Sequence, residues 1–312
     1  MIATVTLNPS LDEWIQLPTL RLGALNRATG FVRYPGGKGI NVSRVVRELG
    51  GATLAYAFAG GDDGAILRQG LRTMGIPCDF VAVRGTTRNN YKIRTTRPRA
   101  VTQINAAGPR ITAASLRTME RRLLRRTPPP RCVSLSGSLP PGAPATIYQR
   151  WTLALRRRGV PVVLDASGAA LQCGLAARPW LIKPNRHEAE ELLRRRLRHR
   201  RDLVQAVRTL LVRGPEVAIL SLGHDGALLG CADPPGVWWA QPPAVRLDSA
   251  VGAGDSLVAG FLVGWTRRRG LVEAFRLGVA CGTATAMTPG TELCHRADVQ
   301  RILRRVTIQR LA

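Results

Sequence analysis

The segment Ala250-Val251-Gly252-Ala253-Gly254-Asp255-Ser256 places a single carboxylate at the end of a run of small residues, just where an apolar helical stretch through Ala259-Gly260-Phe261 begins. Small residues at a helix start leave backbone N–H groups bare, and the helix dipole adds partial positive charge there. Such a cradle suits a phosphoryl group in transit, and Gly252, Ala253 and Gly254 are expected to form it. A carboxylate in that position works against simple anion holding. It makes sense if Asp255 accepts a proton from an attacking hydroxyl. The plainer alternative is that Asp255 only caps the helix.

Two further segments carry chemistry. In Lys183-Pro184-Asn185-Arg186-His187-Glu188, Pro184 forces the chain out of a strand, so that polar side chains project at the carboxyl edge of a sheet, where open α/β sheets bind ligands. Lys183 can reach a nucleotide phosphate, and Asn185 and Glu188, three apart at a helix start, can hold a hydrated magnesium ion. A capped surface helix would account for Glu188 but leaves Lys183 and Asn185 unexplained. In Pro35-Gly36-Gly37-Lys38-Gly39-Ile40-Asn41, closely spaced glycines allow backbone approach to a ligand, and Asn41 can hydrogen-bond sugar hydroxyls. The spacing is not that of a P-loop, and no Rossmann glycine fingerprint is present, which argues against a dehydrogenase.

These segments need a scaffold that delivers them to one place. Ile2 to Leu7 alternates as a strand and stops at Asn8-Pro9-Ser10. Helical periodicity covers 40–49, 64–74, 113–126, 187–197, 202–213, 254–268 and 271–287, and another helix runs through Trp151 and Leu155. Between them lie apolar strands at 52–59, 132–135, 160–164, 180–183, 217–220 and 228–231. Repeated βα units with apolar strands imply an α/β fold whose parallel sheet is covered on both faces. With no change of composition and no internal repeat, 1–312 reads as a single domain. The strand-rich stretches at about 12–34 and 86–106 are the candidates for a small lid.

The chain of 312 residues carries a formal charge of +26, and all but three of its 46 basic residues are arginine. Arginine runs such as Arg156–Arg158, Arg194–Arg196 and Arg267–Arg269 fall near the ends of helical patterns, as expected of solvated faces and helix C-termini. A nucleic-acid-binding protein is the rival reading of this excess, but no aromatic platform or binding motif accompanies it. Where arginine has displaced nearly every lysine, a surviving lysine marks a place the broad guanidinium does not suit. Lys38 and Lys183, two of the three, lie in the segments above; the third is Lys92. Six scattered cysteines and four histidines show no metal-ligand or redox spacing. The N-terminus lacks signal-peptide character and no apolar run could span a bilayer, so a cytoplasmic protein without membrane contact is expected.

Gly-Gly-Lys-Gly-Ile-Asn (36–41), Ser-Gly-Ser-Leu-Pro-Pro-Gly (136–142), Lys-Pro-Asn-x-x-Glu (183–188) and Val-Gly-Ala-Gly-Asp (251–255), in that order, resemble the ribokinase-like (PfkB-type) carbohydrate kinases, and within them the phosphofructokinase branch. The likeness runs from Leu7–Asp12 to Gly290–Cys294. It implies a three-layer sandwich around a mostly parallel sheet with a β-stranded lid. It also implies an ATP- and Mg2+-dependent kinase acting on a phosphorylated ketohexose, foremost a 6-phosphofructokinase, with 1-phosphofructokinase and tagatose-6-phosphate kinase as alternatives. The resemblance puts Asp12, Gly37, Lys38, Gly39 and Asn41 at the sugar, and Arg88, Ser138 and the lid residue Arg27 at its phosphate. It puts Lys183, Asn185, Ser221, Gly223 and Gly226 along the nucleotide, Asp255 as proton acceptor, and Ser249, Val251, Thr285, Thr288 and Gly290 around a monovalent cation such as K+. A homodimer is implied through the lid. Ser249-Ala250 stands where the family often has Asp-Thr or Ser-Thr. Lys38 is more like the 1-phosphofructokinase group, whereas Asn26-Arg27 and Gly290–Cys294 are more like the 6-phosphofructokinase group.

Overall fold

The computed structural model describes residues 1–311. Strand β1 (Ile2–Thr6) lies inside the main sheet, between β8 (Cys132–Ser136) and β4 (Thr53–Ala59), parallel to both. β5 (Cys78–Ala82) extends the sheet beyond β4, and β9 (Val162–Asp165), β10 (Leu181–Ile182) and β11 (Val217–Ser221) extend it beyond β8, all in parallel. An antiparallel meander, β12 (Ala227–Cys231), β13 (Gly236–Gln241) and β14 (Thr307–Arg310), completes ten strands.

Period-two alternation divides each buried strand between two cores. Val162 and Leu164 of β9, and Ala218 and Leu220 of β11, point into a cluster built with α3 (Ala113–Leu124), α4 (Ile147–Arg156), α5 (Gly168–Leu175), α6 (Arg186–Leu193) and α7 (Arg200–Val212). Val163, Val217 and Ile219 point the other way, toward α1 (Lys38–Glu48), α8 (Ala253–Thr266), α9 (Gly270–Met287) and α10 (Arg296–Leu303). A third cluster seats α2 (Gly61–Thr73) against Ala55, Ala57 and Ala59. This is the expected ribokinase-like sandwich. Elements not anticipated from the sequence are α5, β13, α10 and β14.

A second sheet of four strands runs in the order β3 (Gly30–Gly36), β2 (Ser10–Leu17), β6 (Arg88–Thr96), β7 (Arg99–Asn105). Its hairpin pairs are antiparallel, while β2 and β6 are parallel. These strands coincide with the stretches expected to form the lid. The face carrying Asp12 and Lys92 is buried, whereas Phe31, Tyr91 and Ile104 on the other face stay exposed.

Helix α8, which begins the site, is pinned by close packing on α9. A Cβ added to Gly260 would meet Cys281 Sγ at 2.6 Å and the Leu277 carbonyl oxygen at 2.8 Å. Gly260→Val is expected to cost about 1–3 kcal/mol through overpacking, read as a lower urea midpoint at unchanged slope. An unaltered midpoint would mean that the two helices do not meet there.

Candidate active site

The three sequence segments converge at the carboxyl edge of the main sheet. α1 starts directly after β3 with Lys38 as its first residue, Lys183 follows β10, and Asp165 closes β9. Helix α8 approaches the same edge with its N-terminus, where Gly252 holds the cap position at φ 81°. A side chain is disfavoured there by that backbone angle, and its Cβ would meet Leu293 Cδ2 at 2.5 Å.

Asp255 is buried in the first turn of α8, and its Oδ2 accepts a hydrogen bond from Asn41 Nδ2 at 2.8 Å. Burial, reinforced by the nearby Asp165 charge, pushes its carboxyl up to about 6, against the opposing pull of Lys38, the Asn41 amide and Lys183. Asp165 behaves oppositely. Its burial favours the neutral acid, but Lys183 and Lys38 together outweigh this and hold it below the usual carboxylate range. Lys38 Nζ donates to Asp165 Oδ1 at 2.9 Å, and Lys183 Nζ lies 3.5 Å from the same oxygen. Burial works against the Lys38 cation, yet the charges of Asp165, Asp255 and Glu188 raise its pKa. The Lys183 ammonium also reaches the α8 start, 3.3 Å from where a Cβ of Gly254 would stand.

Asn185 and Glu188 form a capping box at the start of α6: Asn185 Oδ1 accepts from the Glu188 amide at 2.8 Å, and Glu188 Oε2 accepts from the Asn185 amide at 2.9 Å. Capping therefore explains Asn185 as well as Glu188, contrary to the expectation that it would leave Asn185 unexplained. Glu188 Oε1 still faces Lys38 Nζ at 3.9 Å. Among the described residues, no three His, Cys, Asp or Glu side chains gather into a protein-only metal cage. A magnesium ion carried largely by substrate phosphates needs only one or two carboxylates. Glu188 Oε1 and the buried Asp165 Oδ2, which has no hydrogen-bond partner, fit that requirement.

On the lid side, Asp12 is buried in an ion pair with Lys92 and also accepts from Ser10 Oγ at 3.0 Å and Asn90 Nδ2 at 3.3 Å. Arg88 is braced by the carbonyls of Asn8 and Ala106, each at 2.9 Å, and Asn8 Nδ2 contacts Ser138 Oγ at 3.4 Å. Burial lowers the Arg88 pKa, partly offset by Asp12. Arg27 is not brought to this group. It lies on the exposed connection between β2 and β3, which Asn26 closes by bonding Arg21 and Ala24.

Ser221 bridges to Asn185 at the sheet edge, and Gly223 opens a short 3-10 turn with open space around it. Gly226 has a packing reason of its own, since a Cβ there would lie 2.1 Å from the Ala240 carbonyl oxygen. Around the expected monovalent-cation position, the Val251 amide donates to Ser249 Oγ, and Gly290 packs on Trp14. The Thr285 carbonyl already accepts both the amide and the hydroxyl of Thr288, at 3.1 and 2.8 Å, so this oxygen is engaged within the protein.

Sequence reasoning missed Asp165, although its place at the end of a strand beside the one leading to Lys183 was a usable signal. It also left Lys92 unassigned and passed over Arg44.

The pfkB family carbohydrate kinase pattern matches residues 5–298. The chain belongs to this family. It is 38% identical over 311 residues to 1-phosphofructokinase of Bacillus subtilis, covering 100% of both chains. It is 36% identical over 302 residues to ATP-dependent 6-phosphofructokinase isozyme 2 of Mycobacterium tuberculosis, covering 96% of this chain and 88% of that one. A crystal structure of phosphofructokinase-2 from Escherichia coli in complex with potassium superposes with a TM-score of 0.92 at 32% identity, covering 97% of this chain and 98% of the other. The fold and the kinase activity expected from the sequence are those of its relatives.

The raised Asp255 pKa has a stability consequence. Between about pH 4 and 6 the folded state keeps a proton that the unfolded state has released, so stability falls as pH rises through this window and stays lower above it. Asp255→Asn removes that penalty. The variant is expected to be more stable than wild type by about 1–3 kcal/mol at pH 7.5, with the difference gone near pH 4. Melting curves across pH check this; a variant no more stable than wild type at pH 7.5 would contradict the raised pKa.

Proposed function

We propose that this carbohydrate kinase is an ATP-dependent 6-phosphofructokinase, transferring the γ-phosphoryl group to the free primary hydroxyl of fructose 6-phosphate. The observation that carries the reading is the buried Asp255 carboxylate at the bare N-terminus of α8, aimed by Asn41 and flanked by Lys183 and Lys38. With a pKa near 6, Asp255 is ionised at neutral pH yet basic enough to take the hydroxyl proton as the oxygen attacks. The amides of Gly252 and Gly254 face the charge that develops on the transferred group, whereas the Ala253 amide, also expected in this cradle, donates to the Ala250 carbonyl at 3.3 Å. Lys183 serves the nucleotide phosphates and Lys38 the transferred group, both paired with Asp165.

Asp12, Gly37, Gly39 and Asn41 line the sugar, with Arg88 and Ser138 at its phosphate. Arg27 would join them only after moving in from the exposed β2–β3 connection. Ser221, Gly223 and Gly226 border the nucleotide. Mg2+, when bound, neutralises phosphate charge, and Glu188 and Asp165 would hold it, with Asn185 fixing Glu188 through the capping box. A K+ site at Ser249, Val251, Thr288 and Gly290 is part of the reading, without the Thr285 carbonyl.

Fructose 1-phosphate is the second reading. It is favoured by the full-length similarity to a 1-phosphofructokinase. The apolar outer face of the lid supports a homodimer, formed by a second copy covering Phe31, Tyr91 and Ile104. Six free cysteines suit the reducing cytoplasm, and no helix of the described residues is long and apolar enough to cross a membrane.

Asp255→Asn is expected to lower kcat by about three orders of magnitude with little change in the KM for ATP. Retained turnover would reduce Asp255 to a helix cap. A coupled ADP-release assay on fructose 6-phosphate, fructose 1-phosphate and tagatose 6-phosphate separates the acceptors; the highest kcat/KM is expected for fructose 6-phosphate, and a preference for fructose 1-phosphate would select the second reading. Ile104→Asp should turn a dimer into a monomer in light scattering, whereas an unchanged mass would place any dimer contact elsewhere.

A further inference from the structure

Helix α1 carries a buried guanidinium that the reading above leaves unused. Arg44 is one helical turn beyond Asn41, on the same face of α1. Its Nη1 donates to the Pro35 carbonyl at 3.0 Å and, at a longer 3.4 Å, to Asn41 Oδ1. Its Nη2 donates to the carbonyls of Thr291 and Glu292 at 2.9 and 3.1 Å. The guanidinium also sits over the Tyr34 ring, 5.7 Å from its centroid. Burial pulls its pKa down to about 10, with Asp12, Tyr34, Glu292 and Cys294 opposing, so it remains a cation at neutral pH.

The Asn41 amide is thus held between two groups of fixed character. A guanidinium can only donate, and an ionised carboxylate can only accept. The sole arrangement that satisfies both turns Asn41 Oδ1 to Arg44 and Nδ2 to Asp255, and a flipped amide would lose both bonds. We propose that Arg44 is a positioning residue for phosphoryl transfer, locking the Asn41 amide in the orientation that donates to Asp255 and anchoring it to the lid root at Pro35 and to the 291–292 segment. Arg44 touches no substrate in this scheme and acts through Asn41. The inference rests on Asp255 being the base of the kinase. Lysine would not replace the fork: one ammonium cannot span four acceptors on three separate segments.

The test is the acidic limb of kcat against pH for wild type, Arg44→Met, Arg44→Lys, Asn41→Ala and the Arg44→Met/Asn41→Ala double variant. Asp255 is faced by Asp165, Lys38, Lys183 and Asn41, and only the last of these is altered by the change at Arg44. Arg44→Met is expected to lower kcat about 10-fold or more, leave the KM for ATP within about twofold, and move the acidic limb to higher pH. Asn41→Ala should move it in the same direction, and the double variant no further, since both changes remove one shared contact. Arg44→Lys should show part of the same shift, and it carries the test with Asn41→Ala if Arg44→Met does not fold. A merely structural Arg44 would lower the melting temperature and leave the limb in place. Limbs of both Arg44 variants coinciding with wild type, or shifts that add in the double variant, would overturn the proposal while leaving the kinase reading intact. A wild type that phosphorylates none of the three ketohexose phosphates would sink that reading and this one together.

Discussion

Asp165 sets the terms for the whole crevice. An ionised carboxylate removed from water costs several kcal/mol unless partners replace its hydration. Asp165 is 1% exposed and gains those partners from two elements far apart in sequence, Lys38 at the start of α1 and Lys183 after β10. The need to pair that charge draws the glycine motif and the 183–188 segment to one point. Its effect on Asp255 follows: two carboxylates in one buried site do not ionise equally, and the one with direct lysine contacts keeps its charge at the other's expense. The contrast between an ionised anchor and a carboxyl raised to about 6 thus comes from geometry, with both residues the same amino acid.

The skewed basic composition becomes intelligible on the same grounds. All three lysines end in ion pairs with carboxylates in or beside the crevice: Lys38 and Lys183 on Asp165, and Lys92 on Asp12. Lys92 and Lys183 are buried, in tight positions where a compact ammonium fits and a planar fork does not, and Lys38 is half-buried. The arginines take the opposite role. Arg131 bonds the Thr266 carbonyl at the end of α8, Arg267 the Leu49 carbonyl after α1, Arg156 the Ala177 carbonyl after α5, and Arg213 the Leu192 carbonyl in the last turn of α6. Each satisfies an orphan acceptor and complements the negative end of a helix. Part of the arginine content serves as scaffolding of this kind.

How far the fold could be read in advance depended on length and burial. Long amphipathic helices such as α7 and α9, and apolar parallel strands such as β4, announce themselves by period. The eight-residue α5 and α10 offer few repeats of a period, and unlike the equally short α6 neither follows a motif that marks a helix start, while β14, four residues of exposed edge strand, has no buried face to alternate against. Within the site, motifs of small residues were legible because glycine at a helix start has few other uses. Asp165 and Arg44 were not, since an aspartate at a strand end and one arginine among forty-three carry no local mark. Asn41 was expected at the sugar from its place in the glycine motif, but its bond to Asp255 depends on a contact between residues 214 positions apart. The capping box of Asn185 and Glu188 shows the converse: a local rule explained more of that motif than its assumed ligand role did.

The lid is tied to the body unevenly. At its root, Arg44 grips Pro35 from a fully enclosed position, and Arg88 holds the Asn8 carbonyl. Breaking the Arg44 contact would leave the buried Pro35 carbonyl unpaired, at a cost of about 1–3 kcal/mol, although the guanidinium would keep the Thr291 and Glu292 carbonyls. Farther out, Arg94 and Arg99 reach Asp248, on the segment leading into α8, at 2.7 and 3.8 Å, and these side chains are partly solvated. Such pairs are worth about 1 kcal/mol or less. Within the lid, the buried Lys92–Asp12 pair couples β6 to β2, so the sheet resists shearing. The middle of β2 is also held to the body, by Trp14 Nε1 donating to the buried Thr291 Oγ1 at 3.2 Å. Arg44 bonds the same 291–292 segment as well as Asn41 Oδ1, so one guanidinium serves both the lid root and the partner of Asp255.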